Sequence, residues 1–208
     1  MQIDELLRSE KGKKELTEIS KKHAKVVHNQ KMDALNVGCT ACVVLITESE
    51  IYVANVGDSR CVVCKNGVVI ALSREHKPEV EEEKKRILSA GGYIEEGRVN
   101  GVLNLSRTLG DLEYKKNKKL EIDKQIIIAM PDVVVEKIEP GTEFLVIACD
   151  GVWDSFTNNR AINVFRNKIW DITNNKPKRV KLSKIISDVF DSIIAADLVD
   201  ESKLKVNV

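Results

Sequence analysis

The sequence lacks three features, each of which would assign it to a broad class of proteins. It has no charge excess, since 33 Lys and Arg residues stand against 32 Asp and Glu residues and give a net charge of +1. A protein that binds nucleic acid through bulk charge needs a clear positive excess, so no nucleic-acid partner is expected. No apolar run approaches the length of a membrane span, and the first residues carry no signal-peptide core. We therefore expect an intracellular protein, cytoplasmic or nuclear, with no membrane partner.

The cysteines are five in number, and an odd count without a secretion signal predicts reduced thiols. Cys39 with Cys42 and Cys61 with Cys64 form two Cys-x2-Cys pairs, a spacing that also occurs in zinc sites. Both pairs lie in strand-like runs, where residues three apart point to opposite faces, and neither has the Gly- or Pro-marked turn of a zinc knuckle. Small buried thiols are the preferred interpretation, and a zinc-binding structural module is the weaker alternative.

The composition divides the chain between residues 1–37 and residues 38–208. The first part is charged and predicts one or two helices, which Gly12 interrupts. After Gly38 the pattern predicts an antiparallel meander of four strands, Thr40–Ile46, Ile51–Val56, Cys61–Cys64 and Val68–Leu72. Asn66 and Gly67 both tolerate a positive φ angle, so they predict a tight hairpin between the last two strands.

The remainder of the chain predicts helices mixed with strands, which gives an α+β fold class. The expected helices are Pro78–Ala90, Asn158–Trp170 and Val180–Leu198. Two favourable pairs, Glu81–Lys85 and Glu82–Arg86, support the first helix. The expected strands are Ile126–Ala129, Val133–Ile138 and Phe144–Ala148, and the last is apolar enough to be buried on both faces.

Two acids stand just beyond predicted strands, each beside a glycine. Asp150 follows Phe144–Ala148 and precedes Gly151, while Asp58 follows Ile51–Val56 and Gly57. Glycine at such a point permits close approach of the backbone to a ligand. Carboxylate oxygens suit hard cations such as Mg²⁺ and Mn²⁺, and no histidine-rich cluster competes for that role. Taken alone, Asp150 is more simply explained as an acid that caps a turn at the end of a strand.

Seven short segments in one order carry a resemblance to a known family. They are Gly38-Cys-Thr-Ala-Cys42, Val53-Ala-Asn-Val-Gly-Asp-Ser-Arg60, Glu75-His-Lys-Pro78, Ala90-Gly-Gly92, Arg98-Val-Asn-Gly-Val102, Ser106-Arg-Thr-Leu-Gly-Asp111 and Ala148-Cys-Asp-Gly-Val-Trp-Asp154. Their order and spacing resemble the metal-dependent protein serine/threonine phosphatases of the 2C class, over roughly Gly38 to Phe165.

The resemblance implies a sandwich of two antiparallel sheets flanked by helices, in four αββα layers. It implies that two or more Mg²⁺ or Mn²⁺ ions activate water to hydrolyse phosphoserine and phosphothreonine in phosphoprotein substrates. Asp150 matches a metal ligand of the family, and Asp58 matches an acid associated with a further, weaker metal. Four neighbours are candidates for orienting the site: Gly151, Asp111, Arg107 and Asp154. For the charged ones, a salt bridge or a turn cap is the alternative role.

Two segments of the family pattern are missing from the sequence. Residues 1–37 contain no Asp-Gly-His-Gly-Gly, and the last residues contain no Asp-Asn segment. His23 and His28 lie in a lysine-rich stretch and are expected to be solvated, so the sequence assigns no catalytic residue with confidence. We expect a fragment of the phosphatase domain with an incomplete metal site and unpaired sheet edges that favour oligomers. The alternative is a non-catalytic regulatory or binding module with the same fold.

Overall fold

The computed structural model describes residues 2–22, 37–171 and 176–194, which form helices and strands in mixed order. The helices are α1 (Gln2–Arg8), α2 (Glu10–Lys22), α3 (Glu81–Ser89), α4 (Asp150–Trp153), α5 (Asn158–Ile169) and α6 (Leu182–Ile193), and a 3₁₀ helix covers Leu112–Lys115. The strands are β1 (Gly38–Cys39), β2 (Ala41–Ile46), β3 (Glu50–Val56), β4 (Arg60–Lys65), β5 (Val68–Ala71), β6 (Ile94–Glu95), β7 (Arg98–Val99), β8 (Leu109–Gly110), β9 (Asp132–Lys137), β10 (Thr142–Ala148), β11 (Trp170–Asp171) and β12 (Lys176–Pro177). Within these ranges no helix is both long and apolar enough to cross a membrane.

Two three-stranded sheets form the main β structure. One has the order β2-β3-β9 and the other the order β10-β4-β5, with β4 antiparallel to both of its neighbours. The turn between β4 and β5 is the predicted hairpin, since Asn66 and Gly67 have φ angles of 51° and 77°. The predicted α+β class is confirmed.

The predicted four-stranded meander is wrong at its centre. β3 and β4 belong to different sheets, so the chain leaves one sheet at Val56 and enters the other at Arg60. The change occurs at Gly57, whose φ of +102° takes the backbone out of the extended conformation. The sequence pattern shows where strands lie but not which strands pair.

The chain divides into two units, each with its own apolar cluster. Unit 1 comprises Met1–Val44, Val53–Ser59 and Arg74–Val134, and unit 2 comprises Leu45–Tyr52, Arg60–Ser73 and Val135–Val208. In unit 1 a buried cluster contains Ile87, Val99, Tyr114 and Ile127. In unit 2 a buried cluster contains Val62, Cys64, Val152, Trp153, Phe156, Ala161, Ile162 and Val189. The boundary expected between residues 37 and 38 remains a prediction.

Helix α3 is shorter than predicted and makes different ion pairs. It begins at Glu81 rather than near Pro78, after an N-cap at Val80. The pair Lys85–Glu81 forms at 3.2 Å, as predicted. Glu82 instead binds Arg74 at 2.8 Å, and Arg86 binds Glu83 at 2.6 Å. Arg74 from outside the helix and Glu83 from within it therefore replace the partners of the predicted Glu82–Arg86 pair.

Two of the predicted strands differ in the structure. Residues 126–129 form only a single bridge, between Ile128 and Arg107, although Ile127 is fully buried. Phe144–Ala148 lies in β10, an edge strand paired only with β4 among the described residues, and Ile147 is 43% exposed. Successive side chains of a strand point to opposite faces, and every side chain of β10 is half-buried or exposed, so the prediction that this strand is buried on both faces is wrong.

The terminal helices also shift from their predicted bounds. The break between α1 and α2 falls at Ser9, and Gly12 lies inside α2. A Cβ atom on Gly12 would lie 2.1 Å from the Leu6 carbonyl oxygen, so glycine permits close packing of the two helices. Helix α6 covers Leu182–Ile193, whereas Leu198, His23 and His28 lie outside the described residues.

Candidate active site

Asp58 is a buried carboxylate in unit 1 that is neutralised by a lysine. It follows β3 and Gly57, as predicted, and its side chain is 5% exposed. Lys77 Nζ lies 2.5 Å from Asp58 Oδ2. A buried carboxylate is costly unless a cation compensates it, and Lys77 provides that cation here. Sequence reasoning missed Lys77, although it lies in the Glu75-His-Lys-Pro78 segment.

The turn that carries Asp58 is fixed by its neighbours in unit 1. His76 Nδ1 accepts a hydrogen bond from Gly57 N at 3.0 Å, and Asn55 Nδ2 donates to Gly57 O at 3.1 Å. A Cβ atom on Gly57 would lie 2.5 Å from Thr40 Cγ2, so this position requires glycine. Burial lowers the pKa of His76, an effect that the Arg107 charge reinforces and Asp132 opposes. His76 is therefore a neutral brace for the turn.

Arg107 lies in a buried network of ion pairs. Its Nη2 donates to Glu83 Oε1 at 2.6 Å, and its Nη1 donates to Asp132 Oδ1 at 2.8 Å. Burial raises the pKa of both acids. Hydrogen bonds outweigh this effect, chiefly from Arg107 for Glu83 and from Arg74 for Asp132, so both pKa values fall to about 2. Both acids are therefore ionised at neutral pH. Sequence reasoning missed Glu83 and Asp132, because their partners are distant in the chain.

Asp111 has a left-handed backbone and a half-buried carboxyl group. Its φ is +47°, and its N–H donates to Val37 O at 2.8 Å. A Cβ atom on Gly38 would lie 2.1 Å from Asp111 Oδ2, so the carboxyl group packs directly on the Gly38 backbone. Burial raises the pKa of Asp111. Gly38, which begins the segment Gly38-Cys-Thr-Ala-Cys42, therefore has a definite role, which is to make room for this acid.

Asp150 is the first residue of the single-turn helix α4 in unit 2. It stands two residues beyond β10, so it begins a helix rather than ending the strand. Asp150 Oδ1 accepts a hydrogen bond from Gly151 N at 2.8 Å. Within the described ranges, Oδ2 accepts no hydrogen bond from the protein. Asp154 caps the other end of α4 and is exposed.

A groove of about 520 Å³ lies beside Asp154 and is lined by two arginines stacked on aromatic rings. The Arg60 guanidinium lies 5.0 Å from the Trp153 ring centre, and Arg160 lies 5.0 Å from that of Phe156. Arg60 also donates to Asn158 Oδ1, which fixes its position. The groove therefore brings positive charge next to the helix that Asp150 begins.

Asp58 and Asp150 have the type of ligand atom that a hard cation prefers, but they do not belong to a group of three or more such ligands among the described residues. Asp58 and Asp150 offer carboxylate oxygens, which Mg²⁺ and Mn²⁺ prefer, and Mg²⁺ commonly keeps water at its remaining positions. Among residues 2–22, 37–171 and 176–194, no group of three or more His, Cys, Asp or Glu side chains could hold a metal. Asp58 belongs to unit 1 and Asp150 to unit 2, so their joint action stays a proposal.

The cysteines differ in exposure. Cys39 and Cys149 are exposed, while Cys61 and Cys64 are buried. The Cys64 thiol donates to Glu143 Oε2 at 3.4 Å, and burial, with Glu143, raises the pKa of Cys64 to about 11. A thiol in this state is a poor metal ligand, because zinc binds the thiolate.

Comparison with known proteins shows that the sequence is similar to protein phosphatases 2C. The family model described as "Protein phosphatase 2C" matches residues 2–202. Protein phosphatase 2C 1 of Paramecium tetraurelia is 40% identical over 197 residues, 95% of this chain and 62% of the relative. Probable protein phosphatase 2C 60 of Arabidopsis thaliana is 45% identical over 160 residues, 77% of this chain. The chain spans 43% of that plant relative's length.

The fold is also similar to that of solved structures. A crystal structure of a phosphatase from Toxoplasma gondii superposes with a TM-score of 0.61 at 31% identity, covering 69% of this chain and 43% of that one. A sex-determining protein of C. elegans superposes with a TM-score of 0.56 at 27% identity, covering 76% of this chain and 36% of that one.

Proposed function

Because the chain belongs to the protein phosphatase 2C family, we propose that it takes part in hydrolysis of phosphoserine and phosphothreonine in proteins, with Mg²⁺ or Mn²⁺ as cofactor. Asp150 is the observation that carries this proposal. It is half-buried at the start of α4, and one carboxylate oxygen is held by Gly151 N while the other is free to bind a cation. A divalent ion bound there would acidify a water molecule and neutralise phosphate charge.

The residues around Asp150 suit an anionic substrate. Arg60 and Arg160 are held on aromatic faces in the groove beside α4, so their charges are positioned before a ligand arrives. A phosphorylated segment of a protein carries the complementary charge. We propose phosphoproteins as substrates, encountered in the cytoplasm or nucleus.

Asp58 has a secondary role in this proposal. We assign it to a further, weaker metal, for which Lys77 competes. Arg107, Asp111, Asp154 and Gly151 are proposed to orient the site rather than to react.

The Lys77–Asp58 pair also supports a second candidate function. With the acid already compensated by a lysine, the fold could serve as a non-catalytic regulatory or binding module. In either case we expect the 208-residue chain alone to be a poor phosphatase, since Lys77 already pairs with Asp58 and Asp150 alone would leave a cation mostly with water ligands.

The test is hydrolysis of p-nitrophenyl phosphate and of a phosphothreonine peptide with Mn²⁺, beside the Paramecium relative as reference. We expect turnover well below that of the reference, dependent on Mn²⁺ and reduced about 100-fold or more by Asp150→Asn. Asp191→Asn, an exposed acid in the same unit, is the matched control and should change nothing. No turnover and no Mn²⁺ binding by calorimetry would favour the non-catalytic module, and equal activity of the Asp150→Asn variant would reject Asp150 as the metal ligand.

Free sheet edges give a further expectation. The outer edge of β10 has no strand partner among the described residues, and unpaired edges favour association with another chain. We propose that the chain forms oligomers through this edge, which light scattering across a concentration series would test. A monomer at every concentration would contradict it.

A further inference from the structure

Helix α1 reaches into a distant loop through one buried acid. Asp4 is 9% exposed, and its two carboxylate oxygens have different partners. Oδ1 accepts a hydrogen bond from Gly110 N at 2.7 Å, and Oδ2 accepts one from Lys115 Nζ at 2.7 Å. Both partners belong to unit 1, as Asp4 does. The acid therefore joins α1 to both ends of the segment from Gly110 to Lys115.

Further bonds hold the same segment at its edges. Lys115 is 7% exposed, and its Nζ also donates to Thr108 O at 2.8 Å. Arg8, one turn along α1 from Asp4, donates from Nη2 to Lys115 O at 2.8 Å. Helix α1 thus clamps the loop at three atoms, which are Gly110 N, Lys115 Nζ and Lys115 O.

The residues inside the clamp have backbone conformations that need support. Gly110 and Asp111 have φ angles of +80° and +47°, both in the left-handed region. For a non-glycine residue such as Asp111 this conformation is unfavourable, so bonds from the surroundings help to hold it. Their N–H groups are held separately, Gly110 N by Asp4 and Asp111 N by Val37 O at 2.8 Å.

We propose that Asp4 is a positioning residue that fixes the left-handed turn at Gly110 and so aims the Asp111 carboxyl group at Gly38. This inference rests on the proposed function, because it gives Asp111 a role in orienting the phosphatase site. It extends that function to α1, for which the sequence predicts only a charged helix. Asp4 acts through Gly110 and Asp111 and touches no substrate.

The two bonds of Asp4 can be separated by choice of variant. Asp4→Asn keeps an oxygen for Gly110 N and loses the charge that Lys115 needs. The double variant Asp4→Leu with Lys115→Met removes the ion pair without leaving an unpaired buried charge, and it also removes the Gly110 acceptor. Asp4→Ser is too short to reach Gly110 but lets water solvate Lys115, so it replaces the double variant if that chain does not fold. Glu5→Gln, an exposed acid on the same helix, is the control.

The experiment measures amide exchange at Gly110 and the titration of the Asp111 carboxyl group by NMR, with Mn²⁺-dependent turnover as a third reading. We expect the double variant to be folded and to exchange Gly110 at least tenfold faster. Asp4→Ser keeps the Lys115 charge, which lowers the pKa of Asp111, and should titrate Asp111 closer to the ordinary range. Its kcat should fall about tenfold with little change in KM, while Asp4→Asn and Glu5→Gln keep Gly110 protected.

Two results would have different meanings. Unchanged Gly110 exchange and Asp111 titration in a folded double variant, or in Asp4→Ser, would overturn the positioning role. Absence of turnover in the unmodified chain would count against the proposed function alone, because the two NMR readings do not depend on activity.

Discussion

The indole N–H of Trp153 lies 2.8 Å from the carbonyl oxygen of Ala148, and the same nitrogen lies 3.2 Å from Arg60 O. One side chain therefore ties α4, which Asp150 begins, to the ends of β10 and β4. The rest of the Trp153 ring packs in the apolar cluster of unit 2. The position of Asp150 thus depends on a residue three places along the chain whose ring packs in the core.

Replacing Trp153 by Phe should keep most of the packing and remove this donor. We expect a loss of about 1–3 kcal/mol in the free energy of unfolding, since two carbonyl groups lose the indole donor. Urea unfolding checks this. Trp170→Phe is a matched control, because Trp170 Nε1 is buried without a hydrogen-bond partner among the described residues. Its removal should cost little, and an equal loss in both variants would contradict the role of the Trp153 bond.

Removing Lys77 should leave Asp58 as an uncompensated buried carboxylate. We expect Lys77→Met to lower the free energy of unfolding by roughly 2–4 kcal/mol, and Asp58→Asn in the same chain to restore much of it. Mn²⁺ should raise the Tm of Lys77→Met more than that of the unmodified chain, because a cation can then replace the ammonium group. Lys85→Met is the control, since Lys85 pairs with Glu81 on the exposed face of α3. A Lys85→Met variant as unstable as Lys77→Met would refute the argument.

Acid should destabilise the protein through Glu83. The pKa of this carboxyl group in the folded chain is about 2, below its usual 4.5, so its contribution is present above pH 4.5 and is lost as pH falls toward 2. The shift corresponds to roughly 3 kcal/mol at neutral pH. We expect Glu83→Gln to be less stable than the unmodified chain by about this amount at pH 7, with the gap closing between pH 4.5 and 2. Glu82→Gln, on an exposed side chain, should show no such gap.

The cysteines should be free of metal and differ in reactivity. Elemental analysis should find far less than one zinc per chain, and stoichiometric zinc that survives dialysis would favour the zinc-module alternative. With iodoacetamide at pH 8, Cys39 and Cys149 should react at least about tenfold faster than Cys64, because Cys64 is buried and its pKa is raised to about 11. Peptide mass spectrometry over time gives the order.

The sequence carried enough information for local features. Asn66 and Gly67 placed the hairpin correctly because both residues satisfy a backbone requirement inside the turn itself. Asp58 was placed correctly beyond β3 for the same reason, since the run of apolar residues and the glycine are adjacent to it. The strand pattern failed for residues 126–129, which are apolar and largely buried but form a single bridge, to Arg107, within the described part of the chain.

The pairings across the chain could not be read from the sequence. Arg107 meets Glu83 from 24 residues away, and Lys77 meets Asp58 from 19 residues away. A charged residue in a sequence looks the same whether its partner is water or a buried ion. The sequence shows Asp4 only as one charge in a charged helical segment, whereas the folded chain buries it.

The bond between Asp4 and Lys115 spans 111 positions, which bears on the order in which the chain folds. Contacts between distant positions form late, because the intervening chain must first lose much of its freedom. Helix α1 leaves the ribosome before this segment, and Gly110 and Lys115 become available to its buried acid only once the segment ending at Lys115 has been synthesised. A nascent chain shorter than this therefore exposes α1 to solvent, to chaperones and to proteases. The helix can dock only after this segment has folded.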